Sequence, residues 1–278
     1  MEEVLSLPHY IIGAVPRKDL RALETWLNFH DPHLRDHDGS VLMHYAWISV
    51  EGVWTAGILM LLEHGFDANT MLQMDPQSNE WKALHYASYF NRVDLATALL
   101  DRGADVDDVI DFFADDDDED PYRRVLTPLL IVMDSMRDHA MNSEALPEAQ
   151  MNMIRFLLSR GASITAERSY GLTAEDTAEE FGLSEAVDIF SEFRLAGNWK
   201  RYVNAPRVSL LVLRELCARG RASPPPTALA ALFCAGSTSA RPRTRRNPRA
   251  ELPKALFWHI LSYWRSDRDI DNADLGTS

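Results

Sequence analysis

The residues that could do chemistry are scattered along this chain. Nine histidines supply the side chain best suited to proton transfer near neutral pH. None stands in an HExxH, HxH or HxE…CxxC arrangement, so no metal-ligand set is spelled out. The two cysteines, Cys217 and Cys234, lack the CxxC spacing of a zinc site and cannot build a disulfide framework. No glycine-rich phosphate loop, GxSxG elbow or kinase signature appears. The run Asp107–Asp120 holds nine acidic residues in fourteen, but a calcium loop needs a central glycine and a closing glutamate, and the spacing is wrong. It reads as a solvated loop, or as an acidic contact for a basic partner or for the chain's own basic tail. The expectation is no catalytic residue, no metal and no cofactor. An enzyme is the remote alternative and would need a deep pocket with convergent titratable groups.

The elements that would position any site must come from a chain of 278 residues, 46% hydrophobic and 25% charged, which is a globular composition. The net charge of −14 argues against nucleic-acid binding by the whole chain. It is unevenly spread: residues 1–198 carry 14 basic and 36 acidic residues, and residues 199–278 carry 14 basic and 6 acidic, or −22 against +8. The acidic start of MEEVLSLPHYIIGAV makes a poor signal peptide, and the longest apolar run, Val125–Met133, is about half a membrane span. A cytoplasmic or nuclear protein that makes no use of a membrane is expected.

The chain repeats. DGSVLMHYAW (Asp38–Trp47) aligns with NEWKALHYAS (Asn79–Ser88). MLLEHGFDAN (Met60–Asn69) aligns with ALLDRGADVD (Ala98–Asp107). A third copy contains LTPLLIV (Leu126–Val132) and FLLSRGASIT (Phe156–Thr165), and a fourth covers Gly171–Phe190. The second copy shows helical phase, with Val93, Leu95, Ala96, Leu99 and Leu100 on one face. Copies one and three are longer between corresponding positions: His44 to Gly65 is 21 residues and Leu130 to Gly161 is 31, against 18 from His85 to Gly103.

This pattern resembles the ankyrin repeat, a β-turn followed by two antiparallel helices. The resemblance implies an all-α, ankyrin-type solenoid of about four to five degenerate repeats, with short hairpin loops and a helical C-terminal region. It implies that Leu84 and Ala87 face the core, that Gly103 stops the second helix, and that Asp105 and Asp107 serve the following hairpin. His44 and His85 fall at its signature position, where the imidazole bridges backbone groups. Residues 1–35 read as an N-terminal degenerate helix pair or cap. Residues 36–195 read as the repeats, with the acidic insertion at 107–120 and a loop at 137–150.

The same resemblance implies noncatalytic protein recognition through hairpins and the concave helix face. It puts Ser78, Asn79 and Trp81 on the second hairpin, with Tyr89 and Phe90 at exposed positions of the next helix. His37, Asp38 and Ser40 extend that surface from the first copy, and Tyr170, with Ser169 and Leu172, from the fourth. Binding energy concentrates in aromatic anchors of this kind. The alternative, that an insertion or the acidic loop covers these aromatics, stays open.

Beyond Trp199 the pattern changes. APRVSLLVLRELCARG reads as a helix with Pro206 in its first turn, within a helical segment 199–222. A Pro/Arg-rich linker follows over 223–250, then an amphipathic helix and tail over 251–278, with Leu256, Phe257, Ile260, Leu261 and Trp264 on its apolar face. Leu213-x-x-x-Cys217 and LPxxL…ILxY resemble a suppressor-of-cytokine-signalling box, and LPxxLxxxIL the start of an F-box. That implies a substrate-recruiting adaptor of a cullin-type ubiquitin ligase, contacting Elongin or cullin through the C-terminal region. The other reading is that both helices cap the repeat stack. The cluster Arg241–Arg249 reads as an import signal, a polyanion contact or a solvated linker.

Overall fold

A computed structural model describes residues 6–49, 52–73, 81–112, 124–141, 148–168, 171–219, 221–223, 257, 260 and 261. The chain divides into two compact units, residues 1–191 with 270–278, and residues 192–269. The Arg cluster 241–249, Cys234, Leu256 and Trp264 lie outside the described residues.

The first unit is a run of helix pairs: α1 (His9–Ile12) and α2 (Leu20–Leu27), α3 (Leu42–Trp47) and α4 (Thr55–Glu63), α5 (Ala83–Tyr89) and α6 (Val93–Leu100). A hairpin of β1 (Ile110–Phe112) and β2 (Arg124–Leu126) leads to α7 (Pro128–Met141) and α8 (Glu148–Ser159). Next come α9 (Ala174–Glu180) and α10 (Ser184–Ala196), the latter crossing into the second unit. First helices stack on first helices, α3 on α5 on α7 on α9, and second helices on second helices, α2 on α4 on α6 on α8. That is the expected all-α solenoid.

Each first helix from α3 onward is entered through a hairpin. Arg35 bridges to Val41 and Met71 to Lys82, both antiparallel. Ile110, Asp111 and Phe112 pair with Leu126, Val125 and Arg124. Arg168 N–H donates to Leu172 O at 2.8 Å. The third hairpin is the long one, so part of the segment expected as an acidic loop is a β ladder.

A polar ladder ties the repeats together. His33 Nε2 accepts from Asp67 N–H at 2.8 Å, Asn69 Oδ1 from Asp105 N–H at 3.0 Å, and Asp107 Oδ1 from Ser163 N–H at 2.8 Å. Three different side chains do the same work, because any acceptor of suitable reach satisfies the next loop's backbone donor. Asp107 therefore belongs to the stack. Gly103 ends α6 with φ +86°, and Gly65 and Gly161 repeat that left-handed stop.

The core follows the helical phase. Leu95, Ala96 and Leu99 are buried, while Val93 and Leu100 at the edge of the stripe are half-buried. The extra residues of the first copy deliver Trp54, buried at the start of α4, whose ring lies over Gly57. The loop expected over 137–150 is narrower, since α7 runs to Met141 and α8 starts at Glu148. No glycine or proline interrupts Leu129–Met141, so the helix propagates.

In the second unit, α11 (Trp199–Ala218) begins earlier than the proline suggested, and Pro206 sits inside it. Asn198 sets the start: its side chain accepts from Arg201 N–H at 3.0 Å. Tyr202 is buried against Phe193 and Trp199, which repays the helical turns ahead of the proline. Leu210, Leu211, Leu213 and Cys217 pack around buried Phe257 and Leu261. Arg207 Nε donates to Leu261 O at 3.1 Å, and the Arg214 guanidinium lies 4.5 Å from the Phe257 ring centre. Ile260, expected on the apolar face, is exposed.

Candidate protein-interaction surface

The second hairpin and α5 carry a cluster of contacting aromatic rings, of which Tyr89 and Phe90 are partly exposed. Trp81 O accepts from Leu72 N–H at 3.0 Å, which fixes the hairpin's return strand. Lys82 then pairs with Asp108, tying the entry of α5 to the next loop. Below it, His85 is fully buried, with Nε2 3.1 Å from Asp108 O. A carbonyl only accepts, so Nε2 carries the proton, and Nδ1 has no hydrogen-bond partner. Burial pushes this imidazole down to about 4, so it is neutral at ordinary pH. His85 thus ties α5 to the next loop through one ring nitrogen, and the two-sided backbone bridge expected of it is not formed.

His44 differs in its partner. Its Nδ1 lies 3.2 Å from the Tyr86 hydroxyl of the following repeat. Burial lowers the His44 pKa and raises that of Tyr86 to about 12, so the pair is a neutral hydrogen bond. Tyr45, which aligns with Tyr86, instead donates to Asp36 in its own hairpin.

Above these groups the rings accumulate. Fully buried Trp47 of α3 stacks on Tyr86 at 6.0 Å and on Phe90 at 6.4 Å between ring centres, with interplanar angles of 17° and 4°. Trp81 lies 4.8 Å from Tyr86 and 5.6 Å from Tyr89. Tyr89 meets Phe90 edge-on at 5.2 Å and 84°. Offset and edge-on rings at these distances attract one another, which favours this arrangement. Tyr89 is 40% and Phe90 39% exposed, and Trp81 is half-buried.

Three of the expected residues, Trp81, Tyr89 and Phe90, are therefore brought together. His37 and Asp38 are exposed at the tip of the first hairpin, with His37 Nε2 3.2 Å from Asp38 Oδ2. Ser40, expected beside them, is 3% exposed and offers no side chain to a partner, because Asp36 Oδ1 draws its N–H inward at 2.9 Å. Leu172 is half-buried, and Ser78, Asn79, Ser169 and Tyr170 lie outside the described residues. Sequence reasoning missed Tyr86, Trp47 and Ile48. Ile48 is 47% exposed and stands at the first copy's equivalent of Tyr89, a match the repeat alignment already contains.

Two other places gather polar side chains. Asp36, His37 and Asp38 gather three ligand atoms within 4.8 Å. The Asp36 oxygens, however, already accept from Asp38 N–H, Ser40 N–H and the Tyr45 hydroxyl. An open depression is lined by Tyr10, Asp19, Arg21, Trp26, Phe29 and His30. There Asp19 caps α2 and His30 bonds Trp26 O, so both are held by backbone. In the second unit, Leu213 and Cys217 turn toward Phe257 and Leu261. No helix among the described residues is long and apolar enough to cross a membrane.

No curated protein matches the chain. A family match does exist, to ankyrin repeats, and it spans residues 11–109 in three copies. That span contains the pairs α1–α2, α3–α4 and α5–α6, so the N-terminal pair is matched along with the rest. The stacking continues through α7–α8 and α9 beyond it. Ankyrin repeats generally mediate protein–protein contact, which supports a noncatalytic scaffold. Over residues 11–109 the chain is similar to ankyrin repeats.

Proposed function

We propose that this chain recognises a protein partner, without catalysis, through the hairpins and first helices of its first and second described copies. The observation that carries this is the exposure of Tyr89 and Phe90 on a base of stacked rings. Large aromatics left exposed at the position where helix 1 faces outward, and packed against other rings there, lose little entropy on binding. Trp81, His37 and Asp38 flank them, with Ser78, Asn79 and Tyr170 as further contacts from neighbouring hairpins.

The test is co-purification with identification of bound proteins, comparing the intact chain with a Tyr89→Ala/Phe90→Ala variant. A partner held by the intact chain should be lost from the variant while its helical circular dichroism is unchanged. Retention of every bound protein by a folded variant overturns the reading.

A further inference from the structure

We propose that His33 is a pH-sensitive link between the N-terminal helix pair and the next one: a proton taken up at its Nε2 releases the Asp67 backbone N–H that joins their loops. The link acts in this way whatever the aromatic patch binds.

The loops after α2, α4 and α6 share one form. Asp31-Pro32-His33, Asp67-Ala68-Asn69 and Asp105-Val106-Asp107 occupy equivalent places. In each, the aspartate Oδ1 accepts the N–H two residues on, at 2.8, 3.0 and 3.0 Å. In each, the third residue's side chain then accepts an N–H from the following loop, that of Asp67, Asp105 or Ser163. His33 therefore fills the position held later by Asn69 and Asp107. An amide does not titrate and a carboxylate titrates only in acid, whereas histidine changes charge between about pH 5 and 8.

The partners fix which nitrogen carries the hydrogen. His33 Nδ1 lies 2.8 Å from Asp31 Oδ1, and a carboxylate only accepts, so Nδ1 donates. Nε2 faces the Asp67 N–H at 2.8 Å, and a backbone N–H only donates, so Nε2 presents its lone pair. Only the neutral ring with its hydrogen on Nδ1 makes both bonds. A second proton must enter at Nε2, where it meets the Asp67 hydrogen head-on, and the two loops lose their bond. His44 is different, because the Tyr86 hydroxyl 3.2 Å from its Nδ1 can turn from donor to acceptor.

The surroundings favour that proton. The charged and titratable groups of the two loops are His30, Asp31 and Arg35 on one side and Glu63, His64 and Asp67 on the other. His30 Nδ1 is on Trp26 O, Arg35 donates to Gly39 O and Met71 O, and Asp67 Oδ1 accepts from Asn69 N–H. Asp31 is the one bonded to the His33 ring. The His33 N–H and then its ring hold the Asp31 carboxyl below its ordinary 3.8, so it stays charged while histidine titrates. Phe66 stacks on the imidazole at 4.8 Å and 14°, and an aromatic face attracts a cation. Against these stands one neutral hydrogen bond, the weaker kind. The pair α1–α2 packs on the stack through α2 against α4, at the end of the described repeats, where local opening is easiest.

Amide exchange of the full chain at pH 7.5 and 5.5, read residue by residue by NMR and corrected for intrinsic rates, tests this. The Asp105 amide, held by Asn69, is the internal reference. Relative to it, protection of the Asp67 amide should fall about tenfold on acidification. His33→Asn, which puts the second loop's acceptor into the first, should keep Asp67 protected equally at both pH values. His33→Ala should leave it unprotected at both.

A wild-type ratio that does not change with pH overturns the proposal. So does an equal fall in His33→Asn, or protection that persists in folded His33→Ala. Nitrogen-15 spectra of the wild-type imidazole need no variant: at pH 7.5 they should show the hydrogen on Nδ1 of His33, and finding it on Nε2 overturns the proposal.

Discussion

The first and second described copies share His-Tyr-Ala yet use it differently. In the second, His85 is sealed under Asp108 O and Tyr86 reaches back to His44. In the first, Tyr45 turns to Asp36 inside its own hairpin, and His44 is bridged by a side chain from the next repeat. Their second helices also fill the core by different means. Aligned on Leu61-Leu62 and Leu99-Leu100, Gly57 corresponds to Leu95 and Trp54 to Arg92. Where the second copy buries a leucine, the first lays a tryptophan ring over a glycine. Shared positions thus define the repeat, and the positions between them decide what each copy packs and displays.

The largest effect should come from breaking the joint between the copies. Trp47 belongs to α3 but supports Tyr86 and Phe90 of α5. Trp47→Ala removes a fully buried ring and leaves a cavity under the aromatic patch. It should cost about 3–5 kcal/mol of unfolding free energy in denaturant titrations. A loss below about 1 kcal/mol would show that the two copies pack independently.

The two histidines give a contrast in pH dependence. A His85 pKa of about 4 lies below its unfolded value of 6.5, so the unfolded chain takes up the proton first. Stability from the neutral, buried ring is complete above the unfolded pKa and is lost as pH falls toward the folded one. At about 1.4 kcal/mol per pH unit, the loss approaches about 3 kcal/mol between pH 6.5 and 4. His44 shifts in the same direction for the same reason, so it adds to the same window. Asp31 and Asp176, lowered from 3.8 by hydrogen bonds, act only at more acidic pH. Thermal melts of wild type and His85→Asn across this range should give a clearly shallower slope for the variant. Parallel slopes would remove His85 as the source.

How far the chain could be read without coordinates depends on what each position answers to. The helix pairs were legible because Leu84, Ala87, Leu95 and Leu99 repeat with helical phase and Gly103 has a backbone reason to be glycine. Tyr89 and Phe90 were legible as exposed because the repeat's geometry assigns that position to solvent. Trp47 and Tyr86 were not, since their place in the patch depends on which neighbour each ring meets, and that distance is set by stacking. Pro206 misled because a cap eight residues upstream, Asn198, outweighed the proline's usual place in a first turn. Asp107 and Asp108 were counted in an acidic run, but one accepts from Ser163 N–H and the other pairs with Lys82.

The smallest effect tests the Gly57–Leu95 contrast. By intrinsic propensity, Gly→Ala inside α4 should stabilise the helix by about 1 kcal/mol. Here a Cβ would lie 2.3 Å from Trp54 Cε3 and 2.4 Å from Cδ2, atoms near the root of a buried ring that cannot swing aside. The ring or the helix must shift, and overpacking of this kind costs about 1–3 kcal/mol, which outweighs the propensity gain. Gly57→Ala should therefore destabilise the protein, and Trp54→Ala should reverse the sign of that substitution. A double-mutant cycle on urea midpoints measures both. If Gly57→Ala stabilises the wild-type background, the ring does not occupy the space that Leu95 fills in the second copy, and the two helices differ in sequence without differing in how they pack.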